Sequence, residues 1–165
     1  MSCNENQHVI LMVDDDPDDH FLARDTLEAL HLPVCLREAG DGEELLDYLL
    51  QRGRFADCGS APRPDVILLD LSMPGMDGKE VLARIRAVPE LREMPVVIFT
   101  TSVDLQDVND CYRLGANSYV TKPASLDDWE SVMSTLYTYW LKTAELPSGS
   151  PLIPQEDEQP STSAH

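Results

Sequence analysis

Basic residues are what this chain most lacks. Its 12 lysines and arginines face 30 aspartates and glutamates, a formal net charge of -18 over 165 residues. That balance argues against a nucleic-acid partner and against an anionic membrane surface, both of which need clustered Lys and Arg. It leaves room for a divalent cation or a basic partner surface. Long apolar runs are missing too, since no stretch approaches the ~18 residues that a membrane-spanning helix requires. The amino terminus, Met1-Ser2-Cys3-Asn4-Glu5-Asn6, has neither the basic nor the apolar part of a signal peptide. Cys3, Cys35, Cys58 and Cys111 are scattered, with no C-x-x-C and no histidines at metal spacing. A disulfide framework and a zinc site are therefore not expected, and reduced thiols in the cytoplasm are. The phosphate-binding pattern G-x-x-x-x-G-K-[ST] is absent, which excludes a P-loop nucleotidase.

What is present is a series of short apolar runs that each end in polar residues. With 42% hydrophobic residues the chain can build one domain with a substantial core. Residues 1–7 read as an extension, 8–145 as the domain, and 146–165 as a disordered acidic tail rich in Pro and Ser, too poor in core formers to offset its ordering entropy. Strands are predicted at His8–Val13, Val34–Ala39, Val66–Leu69, Pro95–Phe99 and Ser118–Thr121. The second is mixed enough in polarity to sit near a sheet edge. Helical stripes alternate with them: Ala23, Thr26, Leu27 and Leu30 after Pro17; Leu45, Leu46, Leu49 and Leu50; Val81, Leu82 and Ile85 after Gly78. A fourth carries Val108, Cys111 and Tyr112 and stops at Gly115, and the last carries Trp129, Val132, Met133, Leu136 and Trp140. Five strand–helix alternations imply an α/β fold, a doubly wound parallel sheet with right-handed crossovers. Its expected strand order is 2-1-3-4-5, with the switch point between the first and third strands.

Four strand ends then deliver Asp14 and Asp15, Asp70, Thr100 with Thr101, and Lys122 to one edge. Singly, each has an ordinary structural explanation, such as a helix cap or a turn. Together they form a crevice in which carboxylates repel one another and need a cation. Few carboxylates with room for water suit Mg2+ or Mn2+ rather than zinc. A Lys and Thr hydroxyls beside the metal are groups that hold phosphoryl oxygens, and a carboxylate there is a reasonable nucleophile for phosphoryl transfer.

The set Val13-Asp14-Asp15, Asp70-Leu71-Ser72-Met73-Pro74-Gly75-Met76-Asp77-Gly78, Thr100-Thr101 and Tyr119-Val120-Thr121-Lys122-Pro123 resembles the receiver domain of two-component response regulators, in order and spacing, over residues 8–142. The resemblance implies a flavodoxin-like (βα)5 fold and a chain that acts as phosphoacceptor rather than as an enzyme proper, assisting its own phosphorylation and dephosphorylation. It implies that Asp70 accepts a phosphoryl group from a phosphohistidine of a sensor histidine kinase. Asp15, Asp70 and the Ser72 carbonyl would ligate Mg2+, with Asp14 acting through water. Lys122 would pair with the acyl phosphate, Thr100 would hydrogen-bond it, and Tyr119 would turn inward as the switch. Thr101, Ser72 and Ser102 would modulate the site, with Ser72 and Ser102 tuning phosphoryl lifetime. Pro74 and Gly78 would turn the chain clear of the metal, and the Lys122–Pro123 bond would be cis. Ala124 stands where receivers often have Phe.

A finer resemblance is to stand-alone receivers paired with phytochrome-type kinases. It rests on Thr100-Thr101-Ser102, the loop before Pro64-Asp65, Asn117-Ser118-Tyr119, and Tyr137-Thr138-Tyr139-Trp140. It implies a homodimer through the fourth helix, fifth strand and fifth helix; Trp140, in register with Leu136, is expected in the core, and Tyr137 and Tyr139, off that register, are the interface candidates. The downstream protein is unknown. Three alternatives compete. A haloacid-dehalogenase-like phosphatase wants a second Asp where Ser72 stands. A flavodoxin-like FMN carrier wants a Thr-, Ser- and Gly-rich loop where Asp14-Asp15-Asp16 lies. A phosphorylation-independent pseudo-receiver would not need Asp14, Asp15, Asp70, Thr100 and Lys122 together.

Overall fold

In the computed structural model, which describes residues 3–57 and 59–148, the apolar runs become five strands: β1 (His8–Val13), β2 (Val34–Ala39), β3 (Val66–Leu69), β4 (Val96–Thr100) and β5 (Ser118–Thr121). All pair in parallel, in the order β2-β1-β3-β4-β5. Helices α1 (Pro17–Ala29), α2 (Gly42–Leu49), α3 (Gly78–Ala87), α4 (Leu105–Arg113) and α5 (Leu126–Leu136) cover both faces. Each starts at a side-chain cap that satisfies an otherwise orphaned N–H: Asp16, Asp41, Asp77, Asp104 and Ser125 in turn. Much of the acidic excess is spent at these helix starts.

The central strands are apolar at every position because both faces are covered, and their alternating residues feed two cores. Leu11, Val13, Ile67, Leu69, Val96 and Ile98 pack against α2, α3 and α4. Ile10, Met12, Val66, Leu68, Val97 and Phe99 pack against α1 and α5, where Phe99 meets Trp129 edge to face at 5.3 Å. Burying each such side chain fully is worth about 1.5–3 kcal/mol, so β1, β3 and β4 form a stiff floor under the strand ends.

Several expectations are corrected. Cys3 and Cys35 form a disulfide, with Cα atoms 5.4 Å apart. The β1–β2 register sets Val9 beside Cys35, and a turn in which Gln7 N–H donates to Asn4 O folds residue 3 back over the sheet edge. Cys111 is free and buried, and burial pushes its thiol up to about 11; Cys58 lies outside the described residues. Tyr112, placed on the inner stripe of α4, is 50% exposed. Past α5 the helix widens into a π-helical turn over Tyr137–Thr143, where Ala144 N–H donates to Tyr139 O at 2.7 Å. Tyr137 is buried in the α1–α5 core rather than exposed as an interface residue, because it lies four residues beyond Met133, and Leu141 lies four beyond it. Trp140 is only half-buried, against exposed Tyr139. Leu146 packs on the same core; the tail from residue 149 lies outside the described residues. No helix among the described residues is long and apolar enough to cross a membrane.

Candidate functional site

Register builds the site. Val13 pairs with Leu69, so the residues that follow them, Asp14 and Asp70, stand side by side at the switch point. The ladder runs one bond further, with Asp70 N–H donating to Val13 O at 3.0 Å and Asp14 N–H to Ala39 O at 3.1 Å. At the other end of the sheet Lys122 N–H donates to Thr100 O at 2.8 Å, which sends the lysine stem back over the strand ends. The Lys122–Pro123 bond is trans, as are all described peptide bonds. This corrects the cis expectation and follows the ordinary X–Pro preference.

Three carboxylates surround the Lys122 ammonium. Nζ donates to Asp19 Oδ2 at 2.6 Å and to Asp70 Oδ2 at 3.0 Å, and lies 2.6 Å from Asp14 Oδ2 as an ion pair. Asp14 Oδ2 is buried and receives no directed hydrogen bond. The side chains of Lys122, Asp14 and Asp70 are 5%, 1% and 7% exposed. Burial pushes the Asp14 carboxyl from 3.8 up to about 6, against the pull of Lys122. Burial also works to lower the pKa of Lys122, but its bonds to Asp14 and Asp19 and the charge of Asp70 outweigh it, and the ammonium is held above its usual range.

The residues fit a hard divalent cation. Buried Asp14, exposed Asp15 and buried Asp70 offer carboxylate oxygens that all lie within 4.8 Å of one another, an all-oxygen donor set for a Mg2+-like ion. Asp14 Oδ2, paired with Lys122 but without a directed hydrogen bond, is the polar atom such an ion or its water would satisfy. Ser72, exposed, turns its N–H to Asp70 Oδ1 at 3.3 Å. Gly78 N–H donates to Leu71 O at 3.1 Å, and a Cβ on Gly78 would stand 2.3 Å from Asp70 O and 2.8 Å from Leu71 Cα. Only glycine lets α3 begin directly under the Asp70 backbone. Pro74 is exposed on the loop between them.

The remaining candidates gather around the β4–α4 loop rather than in the carboxylate cluster. Thr100 is fully buried, and its Oγ1 accepts from Ser102 N–H at 3.4 Å; Thr101 is exposed. The Ser102 hydroxyl is turned away to Asp107 Oδ2 at 2.6 Å, while its carbonyl accepts from the half-buried Tyr119 hydroxyl at 2.9 Å. Asp107 and Asp110 also bind Lys79 of α3, at 2.8 and 3.0 Å, which joins α3 to α4.

Two residues at the site had no role in the sequence reading. Asp19 lies in the first turn of α1, where an acid ordinarily complements the helix dipole, and its contact with Lys122 spans 103 residues. The only signal was numerical: five acids between Asp14 and Asp19 against a single strand-end lysine. His20 is buried, and its Nε2–H donates to Asp14 O at 2.7 Å, pinning α1 to the end of β1.

Residues 10–133 match the model of the response regulator receiver domain. The chain belongs to that family. The receiver is 38% identical over 140 residues to the response regulator Rcp1 of Synechocystis, covering 85% of this chain and 93% of Rcp1. The structure of Rcp1 in its Mn2+-bound form matches with a TM-score of 0.76, at 38% identity over 86% of this chain and 99% of that one. The phosphorylated cyanobacterial phytochrome response regulator RcpA superposes with a TM-score of 0.78, at 38% identity over 86% of this receiver and 99% of RcpA. A response regulator in red-light signalling of R. palustris gives 0.81, at 34% identity over 86% of this chain and 99% of that one. The strand order 2-1-3-4-5 is thus that of a flavodoxin-like receiver, and neither the phosphatase nor the pseudo-receiver alternative is favoured.

Proposed function

We propose that this receiver takes a phosphoryl group from the phosphohistidine of a sensor histidine kinase onto Asp70, with Mg2+ as its working cation. The observation that carries this reading is Asp70 itself, buried at the end of β3. One of its oxygens is paired with Lys122 and the other is held by the Ser72 N–H. In the transfer an Asp70 carboxylate oxygen forms a bond to phosphorus, the P–N bond of the phosphohistidine breaks, and the imidazole nitrogen leaves with the electron pair and is protonated. Mg2+, held by Asp15, Asp70 and the Ser72 carbonyl with Asp14 acting through water, would neutralise phosphoryl charge. Lys122 balances the charge on the same oxygens, and the Thr100 hydroxyl, whose oxygen accepts from the Ser102 N–H, would donate its own O–H to a phosphoryl oxygen. Because Tyr119 is tied to the Ser102 carbonyl, movement of Thr100 reaches the α4–β5–α5 face through that residue.

The kinase we infer is phytochrome-type. Support comes from the likeness to RcpA, Rcp1 and the red-light regulator along nearly their whole length. A homodimer through α4, β5 and α5 is part of the same proposal: Leu105 at the start of α4 is 76% exposed, and Tyr139, 54% exposed beyond α5, is the remaining aromatic candidate. The output is then a protein that reads this face.

The test is acetyl phosphate with Mg2+ followed by intact mass. One phosphoryl group is added, and Asp70→Asn adds none; an unmodified wild type under conditions that label another receiver refutes the reading. Sustained turnover of p-nitrophenyl phosphate would favour a phosphatase instead. Transfer from a panel of phosphorylated kinases identifies the partner, with a phytochrome-type kinase expected to be fastest.

A further inference from the structure

Lys122 is surrounded by more negative charge than phosphoryl binding requires. Of its three carboxylate neighbours, Asp14 and Asp70 also belong to the cation cluster, and Asp19 does not. Asp19 stands on the first turn of α1 with its side chain 19% exposed, and its 2.6 Å bond to Nζ is shorter than the 3.0 Å bond from Asp70. When Asp14 and Asp70 direct their charge to a cation, Asp19 is the carboxylate that still faces the ammonium. We propose that Asp19 is a positioning residue for Lys122. It keeps a share of the ammonium away from Asp70 and so sets how strongly the pocket draws an anionic phosphoryl donor relative to a divalent cation. The inference rests on the reading of Asp70 as phosphoacceptor.

The Asp19 charge acts with opposite sign on the two ligands. It attracts the cation. It also repels a phosphoryl donor and occupies one of the three N–H bonds that Lys122 could offer to phosphoryl oxygens. Since Asp19 and Asp70 bind the same nitrogen, they are separated by no more than about 6 Å. At an effective dielectric of about 40, between water and protein interior, one charge at that distance changes the affinity for a singly charged group about tenfold and for a divalent ion about a hundredfold. Asp19→Asn keeps the shape and removes the charge.

The experiment pairs two measurements on the full chain. Mg2+ alone, titrated by calorimetry, should bind Asp19→Asn more weakly than wild type, by up to about a hundredfold. Phosphorylation by acetyl phosphate at saturating Mg2+, followed by mass, should be up to about tenfold faster. Asp19→Glu should return both toward wild type, and added salt should shrink both differences. A general loosening of the site would weaken cation binding and slow phosphorylation together, so any result other than opposite shifts overturns the inference. If wild type takes no phosphoryl group, the phosphoacceptor reading fails first. If wild type is labelled and the Asn variant matches it, only the role of Asp19 fails.

Discussion

Replacing Lys122 with Met removes the cation around which the strand-end carboxylates are arranged and keeps most of the stem volume. In the metal-free protein this leaves Asp14 and Asp70, 1% and 7% exposed, facing each other without a countercharge. Removing one partner of a buried ion pair costs about 3–5 kcal/mol. The cost has an outlet, because a buried carboxylate can take up a proton. Asp14 is already pushed to about 6 with the lysine in place, and without it the value climbs further. A carboxyl whose folded pKa lies above its unfolded value stabilises the fold below the unfolded value, and that stabilisation is lost as pH rises through the folded value. The deficit of Lys122→Met should therefore be largest at pH 8 and shrink by about 1.4 kcal/mol per unit on lowering the pH toward 6. Below about 6 Asp14 is protonated in both proteins, and the deficit levels off. Urea unfolding followed by tryptophan fluorescence reads this directly, since Trp129 is 3% exposed in the α1–α5 core. Saturating Mg2+ should stabilise the variant more than wild type, because the ion supplies the missing positive charge. A metal-free variant as stable as wild type at pH 8, or a deficit that ignores pH, would refute the electrostatic account.

Two further predictions concern packing and assembly. Gly78→Ala sets a methyl group 2.3 Å from a backbone oxygen, so the start of α3 must shift, at a net cost of about 1–3 kcal/mol; an unchanged urea midpoint would show that the close approach is slack. Light scattering should return the mass of a dimer, and Leu105→Arg should return a monomer; a wild-type monomer at high concentration removes the dimer proposal.

The strands, their order and the four strand ends were legible because strands buried on both faces leave long apolar runs, and a parallel sheet brings their carboxyl ends to one edge. Asp14, Asp70 and Lys122 could be placed together from that argument alone. What was not legible depended on contacts between distant residues or on local departures from regular geometry. The Asp19–Lys122 bond depends on where α1 lies relative to the end of β5, which no spacing in the chain expresses. The Cys3–Cys35 bridge depends on the β1–β2 register and a turn at Asn4–Gln7. Tyr137 was misplaced because the stripe was projected from Leu136 to Trp140, whereas burial runs from Met133 through Tyr137 to Leu141. The trans Lys122–Pro123 bond departs from a family habit rather than from any property of these residues.

The absence of a side chain at Gly78 has a mechanical consequence. With no room for a methyl group between α3 and the Asp70 backbone, the two cannot slide past one another, and β3 with α3 is a stiff unit. On the opposite flank the β4–α4 loop is held by groups that can exchange partners: the Ser102 hydroxyl on Asp107, the Tyr119 hydroxyl on the Ser102 carbonyl, and Lys79 shared between two partly exposed carboxylates. Compliance is therefore unequal on the two sides of Asp70. A charge placed on that residue meets an unyielding wall toward α3 and a yielding one toward α4, so the direction of the response is set by stiffness before any partner binds.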